Sequence, residues 1–231
     1  MPITKFNDTA YHEAGHAIIA YLIPDLFKIE MLTANKEKSL GYDRHALGGI
    51  KGKIVKDSKQ LNIYDHDKLA LLFMAGMAAD DMNHANNNID SKLYNDQEFG
   101  HKINSFKYSF DIDLFSRHLN NLKLKLAVKE REYTLSCQKL LYQIFTDEVI
   151  GAVILNLRHT LISNPGQTIS GENVISFLDN SDLNLWKSNN WTDIQAKRGK
   201  QLNNWLKPNR KSKYEGKNCI QKFFIRLFEI I

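Results

Sequence analysis

The stretch Thr9-Ala10-Tyr11-His12-Glu13-Ala14-Gly15-His16-Ala17-Ile18-Ile19-Ala20-Tyr21-Leu22-Ile23-Pro24 sets how the rest of the chain is read. Asp8 or Thr9 can cap a helix, Ala10 to Ile23 run without a breaker, and Pro24 stops it, so a helix is predicted over residues 10–23. Ala10, Ala14, Ala17, Ile18, Tyr21 and Leu22 form an apolar stripe, while Ile19, Ala20 and Ile23 put apolar surface on other sides. Such a helix is buried on most of its faces, yet it carries His12, Glu13 and His16. Polar groups buried together need partners, and their spacing points to one.

His12-Glu13-Ala14-Gly15-His16 is an H-E-x-x-H motif inside a predicted helix. At about 100° and about 1.5 Å per residue, the two histidines lie one turn apart on one face and can both offer nitrogen to a single ion. Zn²⁺ takes imidazole nitrogen at roughly 2.0–2.1 Å and, where it is catalytic, uses three protein ligands and an open position. Glu13 follows the first ligand directly, within reach of a water in that open position, and suits the general acid/base role. With eight His and ten Glu in 231 residues, chance yields this pattern in about one such chain in eighty. Two unrelated surface histidines are therefore the weaker explanation.

A third ligand has to come from another segment. Helical spacing returns from Asp111 to about Arg131, where Asp111 shares a face with Leu114, Phe115 and His118, whereas Asp113 lines up with Ser116, Arg117 and Asn120. Asp111 is thus the better-placed carboxylate, with a helix N-cap as its alternative role. His84 and His101, in the polar, Asn-rich stretch Asn83 to Asn104, are fallback ligands; His45, His66, His118 and His159 show no metal spacing.

Outward from this helix, Phe27 to Thr33 alternates as a strand, and a second strand around Leu40 to Arg44 can pair with it. Residues 44–66 are rich in Gly, Lys and Asp and read as irregular, with Gly48-Gly49-Ile50-Lys51-Gly52 as a flexible turn. Asp67 to Met82 reads as an apolar helix containing Gly76, and one longer helix covers Thr134 to Ile162, stopped by Asn164-Pro165-Gly166. Ser170 to Leu178 makes a short helix. The expected fold class is mainly α (α+β), with a small sheet after the first helix.

Composition bounds the reading. A chain of 231 residues with 25% charged and 43% hydrophobic side chains makes one large or two small globular domains, not a disordered tail, a collagen or a rod. The longest apolar run, Leu69 to Ala79, is about half of the roughly 20 residues that cross a bilayer. No basic-then-apolar leader stands at the N-terminus, and Cys137 and Cys219 form no CxxC pair. A soluble, unexported, cytoplasmic protein is expected. The net charge of +5 is concentrated in residues 197–231, which hold ten Lys/Arg against two acids. With Trp186, Trp191 and Trp205 nearby, this basic region has the composition to touch nucleic acid or an anionic membrane, although a solvated Lys/Asn-rich extension is the commoner origin of such a run. Phe223, Phe224, Leu227, Phe228 and Ile231 form a helical stripe that packing on the core or on a second subunit would cover.

Thr9 to Ala17 resembles the active-site helix of the peptidase domain of FtsH-type ATP-dependent zinc proteases, and other segments match in the same order. These are Leu40-Gly41, Ala75-Gly76-Met77-Ala78-Ala79-Asp80, Ser109-Phe110-Asp111-Ile112 with Ser116 beyond, and Gln167-Thr168-Ile169-Ser170-Gly171-Glu172. The resemblance implies a zincin-like helical metallopeptidase domain over residues 1–180, followed by a basic, Trp-containing extension over 181–231. It implies one Zn²⁺ per chain held by His12, His16 and Asp111, with Glu13 as catalytic acid/base. Asp80 stands where the family has a Glu, as an acceptor orienting a ligand His or as an ordinary buried polar residue at a helix end. In zinc peptidases a substrate backbone commonly adds as a strand, and Phe27 to Thr33 is the candidate edge.

Departures from the family limit what carries over. The sequence has no Walker A motif, ATPase domain or membrane anchor, and Phe110 replaces a polar residue. The expected function is therefore an ATP-independent metalloendopeptidase acting on peptides or unfolded protein, alone, as a homo-oligomer, or with a separate ATPase partner. A catalytically silent binding module and a nucleic-acid-associated protein acting through the tail are the alternatives.

Overall fold

Every residue from Thr9 to Ile23 is buried, so the first helix is the axis around which the other elements pack. The computed structural model describes residues 3–34, 49–87, 109–122, 124, 127–163 and 168–206. Helix α1 spans Ile3–Leu22, starting earlier than its apolar stripe. The backbone N–H groups of Leu26 and Phe27 donate to Ile23 O at 3.0 and 2.9 Å, a tight turn that feeds directly into strand β1, Phe27–Thr33.

Strand β2 is Gly49–Ile54, antiparallel to β1 with Phe27 opposite Ile54 and Thr33 opposite Gly49. The segment read as an irregular, glycine-rich turn is therefore a strand. Its apolar signal is weak because only Ile50 and Ile54 pack inward, and Gly52 is small for a reason: a Cβ there would meet the Phe27 ring and Lys28 O. The second strand expected at Leu40 to Arg44 lies outside the described residues. A two-residue strand β3, Ile169–Ser170, pairs with Leu32 and Met31 on the other side, giving the order β2-β1-β3. β1 is thus the central strand, and β3 pairs with the Met31–Leu32 part of the candidate substrate edge. Helix α6, Gly171–Asp179, starts so close to it that a Cβ on Gly171 would strike Ile29 O.

Helix α2, Ile63–Asn87, begins four residues before the predicted Asp67 because Asn62 caps it. Asn62 Oδ1 accepts from the N–H groups of Tyr64 and Asp65 at 2.8 and 3.0 Å, and Asp65 Oδ2 accepts in return from Asn62 N–H at 3.0 Å. It also runs on to Asn87, past the start of the polar stretch expected as a loop; Asn88 to Asn104 lie outside the described residues. The α1–α2 crossing is lined by small side chains. A Cβ on Gly15 would lie 2.6 Å from Ala79 Cβ and 2.8 Å from Ala75 O, so glycine is what lets the two backbones approach.

Helix α3, Ser109–Asn121, lies against α2 with Phe115 and His118 buried and Asp113, Arg117 and Asn120 exposed, the facing that helical periodicity predicts. Helical structure resumes only at α4, Ala127–Phe145, so the spacing that continues to Arg131 spans two helices. The long helix expected over Thr134 to Ile162 is likewise two: α4 and α5, Glu148–Ser163, meet at 84°. Asp147 causes the break. Its Oδ1 accepts from Val149 N–H at 3.0 Å, an N-cap that starts α5 while the apolar pattern continues on both sides. No single described helix is long and apolar enough to cross a membrane; α4 and α5 reach that length only as this bent pair.

After α6 come a single turn α7, Leu183–Trp186, a π-helical turn Lys187–Trp191, and α8, Thr192–Leu206. This polar, basic stretch packs on the core: Leu183, Trp186, Trp191 and Leu202 are buried. Arg198, one of the tail cations by sequence, is buried too. Its guanidinium reaches both Asp67 oxygens at 2.9–3.1 Å, Ser136 Oγ at 2.7 Å and Cys137 Sγ at 2.8 Å, while Tyr133 O–H donates to the same Asp67 at 2.7 Å. The tail beyond Leu206, with its apolar stripe and Cys219, lies outside the described residues.

Candidate metal centre

α1 supplies His12 and His16 from successive turns, and α3 brings Asp111 over them from its first turn. His12 Nε2 and His16 Nε2 are 3.1 Å apart, and Asp111 Oδ2 lies 3.0 Å from the first and 3.4 Å from the second. The rings stand nearly at right angles, 77°, so the two nitrogens converge without stacking. Among the described residues this is the one group of three His, Cys, Asp or Glu side chains whose donor atoms can gather on a single ion.

The other end of each ring is tied to α2. His12 Nδ1–H donates to Asp80 Oδ2 at 3.2 Å, and His16 Nδ1–H donates to Leu72 O at 2.8 Å. A carbonyl oxygen can only accept, so His16 carries its proton on Nδ1, and an ionised Asp80 imposes the same tautomer on His12. When the rings are neutral, both Nε2 atoms therefore present lone pairs to each other and to a carboxylate oxygen. Three such donors repel unless a positive charge lies among them, supplied by a proton on His12 in the metal-free protein or by a metal ion in its place.

The triangle fits zinc. Ligands placed tetrahedrally at roughly 2.0–2.1 Å from Zn²⁺ lie roughly 3.3–3.4 Å from one another, and the three separations here fall between 3.0 and 3.4 Å. Donor chemistry agrees, since two imidazoles and a carboxylate leave a fourth position open, and the Nδ1 partners are of the kind that orient metal-bound histidines.

Electrostatics follow from the same contacts. Burial disfavours a charged His12, but the Asp80 and Asp111 carboxylates outweigh it and hold the imidazole well above its ordinary pKa. Burial would raise Asp111, and the two imidazoles instead hold it well below the usual carboxylate range. Glu13 is buried beside the ligands, and desolvation pushes its carboxyl up to about 7 against the pull of His12 and His16. A carboxyl that changes protonation near neutrality is suited to passing a proton in either direction.

The structure brings His12, Glu13, His16, Asp80 and Asp111 together, and Asp80, which had two readings, is fully buried against His12. His84 falls on α2, in the part whose side chains are not described, His101 lies outside the described residues, and His159 is exposed on α5. Periodicity misses the Leu72 carbonyl, a backbone group that carries no residue signature. It also misses that His66 and His118 meet, Nδ1 to Nδ1 at 2.9 Å, with Phe73 stacked on His118. Cys137 is buried with its thiol pushed up to about 12 by desolvation, which leaves it inert. A comparison with protein-family models gives no match to this chain, and a comparison with curated protein sequences gives none either.

Proposed function

We propose that this chain is a zincin-like, FtsH-type zinc metalloendopeptidase that hydrolyses peptide bonds in peptides or unfolded protein segments, without nucleotide in the bond-breaking step itself. The observation that carries the reading is the convergence of three lone-pair donors, His12 Nε2, His16 Nε2 and Asp111 Oδ2, with both Nδ1 protons committed elsewhere. Those three atoms would hold the zinc. When bound, zinc supplies a Lewis acid and a water of lowered pKa.

The chain's own groups account for the rest. Asp80 and the Leu72 carbonyl hold the rings in the tautomer that leaves Nε2 free to ligate. Glu13 accepts the proton of the attacking water at its carboxylate and delivers it to the departing amide nitrogen, so its protonation state is restored after each turnover. Its burial beside the position a zinc ion would leave open favours this reading over a silent binding module, because a purely structural site has no use for an acid there.

Metal analysis of the chain purified without chelator should find about one zinc per molecule, and His12→Ala should lose it. Glu13→Gln should keep the zinc while cleavage of an unstructured protein falls by about 10²–10⁴-fold. A zinc-free wild type, or Glu13→Gln cleaving at the wild-type rate, would refute the reading.

A further inference from the structure

Leu72, Gly76 and Asp80 are spaced by four along α2, so they fall on one face, a turn apart. His12 and His16 are spaced by four along α1. The helices match turn for turn: His12 is bonded to Asp80 and His16 to the Leu72 carbonyl, which leaves Gly76 midway between the two anchors. A Cβ built on Gly76 would run into His12 Nε2, His16 Nε2 and His12 Cε1. No other described glycine is crowded by the donor triangle; Gly15, across the same crossing, meets only Ala79 Cβ and Ala75 backbone atoms.

We propose that Gly76 is a positioning residue whose missing side chain keeps the metal-facing edges of both imidazoles clear. The inference rests on the zinc reading for its purpose, though its steric content does not. Because each ring is pinned at Nδ1 by a group on α2, neither can swing away from a methyl at position 76 without losing its Asp80 or Leu72 hydrogen bond. A methyl there would meet the Nε2 atoms that would bind zinc, so it would compete with the ion for the same edges. The requirement at 76 is thus imposed by the site and not by helix geometry, in which glycine is intrinsically unfavourable compared with alanine.

Two measurements on the full chain test this. In the first, the metal-stripped protein is titrated with Co²⁺, followed by its visible ligand-field spectrum, and with Zn²⁺ in competition. Gly76→Ala should bind about 10–100-fold more weakly than wild type. In the second, melting temperatures of the metal-free proteins are compared for Gly76→Ala, His12→Ala/His16→Ala and the triple variant. The loss caused by Gly76→Ala should largely vanish once both rings are removed, even if the single variant is too unstable to titrate.

Wild-type metal affinity in a folded Gly76→Ala variant, or an equal loss of stability with and without the rings, would overturn the proposal. The second measurement needs no metal, so a wild type that binds none, with the thermal coupling present, would refute the zinc reading and leave the steric role of Gly76 standing.

Discussion

Asp80 shows how one side chain can be placed by sequence without its role being decided. The resemblance to FtsH-type peptidases implies an acceptor for a ligand histidine there, and an ordinary buried polar residue is the competing reading. The structure puts its Oδ2 3.2 Å from His12 Nδ1 in a fully buried setting. Asp80→Asn keeps the shape and removes the charge that favours the Nδ1–H tautomer, so zinc affinity should drop by about 10–100-fold while the fold is retained. Calorimetric titration of the metal-free variant would measure this, and unchanged affinity would reduce Asp80 to a packing residue. Asp111 was legible because its neighbours at three, four and seven positions are Leu114, Phe115 and His118. The Leu72 carbonyl was not legible, because any residue at that position supplies the same oxygen.

α2 and α3 are the pair of elements that closes the site, and a histidine pair pins them together. His66 on α2 and His118 on α3 share one N–H between Nδ1 atoms 2.9 Å apart, so one ring donates and the other accepts. Burial, then the neighbouring His66 and Arg117, pushes His118 down to about 4. Unfolded, the ring titrates at about 6.5, so between these values the unfolded chain binds a proton that the folded chain refuses. The resulting contribution, of order 1–2 kcal/mol after solvent screening, is present above about pH 6.5 and is lost as pH falls toward 4. Glu13, held at about 7 in the fold, acts with the opposite sign in the metal-free protein, so the comparison that matters is between variants. Urea midpoints of metal-free wild type should fall more steeply from pH 6.5 to 4 than those of His118→Phe, and parallel curves would contradict this. Element boundaries were less legible than elements. The Asn62 cap, the Asp147 break and strand β2 all depend on short polar or glycine residues whose hydrogen bonds and close approaches outweigh the apolar periodicity around them.

For the molecule as a whole, Arg198 joins three distant segments through Asp67 on α2, Tyr133, Ser136 and Cys137 on α4, and its own helix α8. Its guanidinium also lies over the Tyr133 and Trp205 rings, at 4.9 and 5.2 Å. Arg198→Ala would leave Asp67 buried with its main counter-charge gone, a change that should cost about 3–5 kcal/mol in urea unfolding. A loss below about 1 kcal/mol would mean that α8 adds little to the core. What the sequence determined alone was local and periodic: an almost wholly apolar helix bearing H-E-x-x-H, a second helix facing inward at Asp111, and a strand after the first helix. Those patterns are legible because burial acts on every turn of a helix and every second residue of a strand. Only the tertiary structure decided that α1 and α2 match turn for turn, that β1 is central, and that Arg198 is interior. Each of those depends on which segments meet in space, and neither the spacing nor the composition of any one segment records its partners.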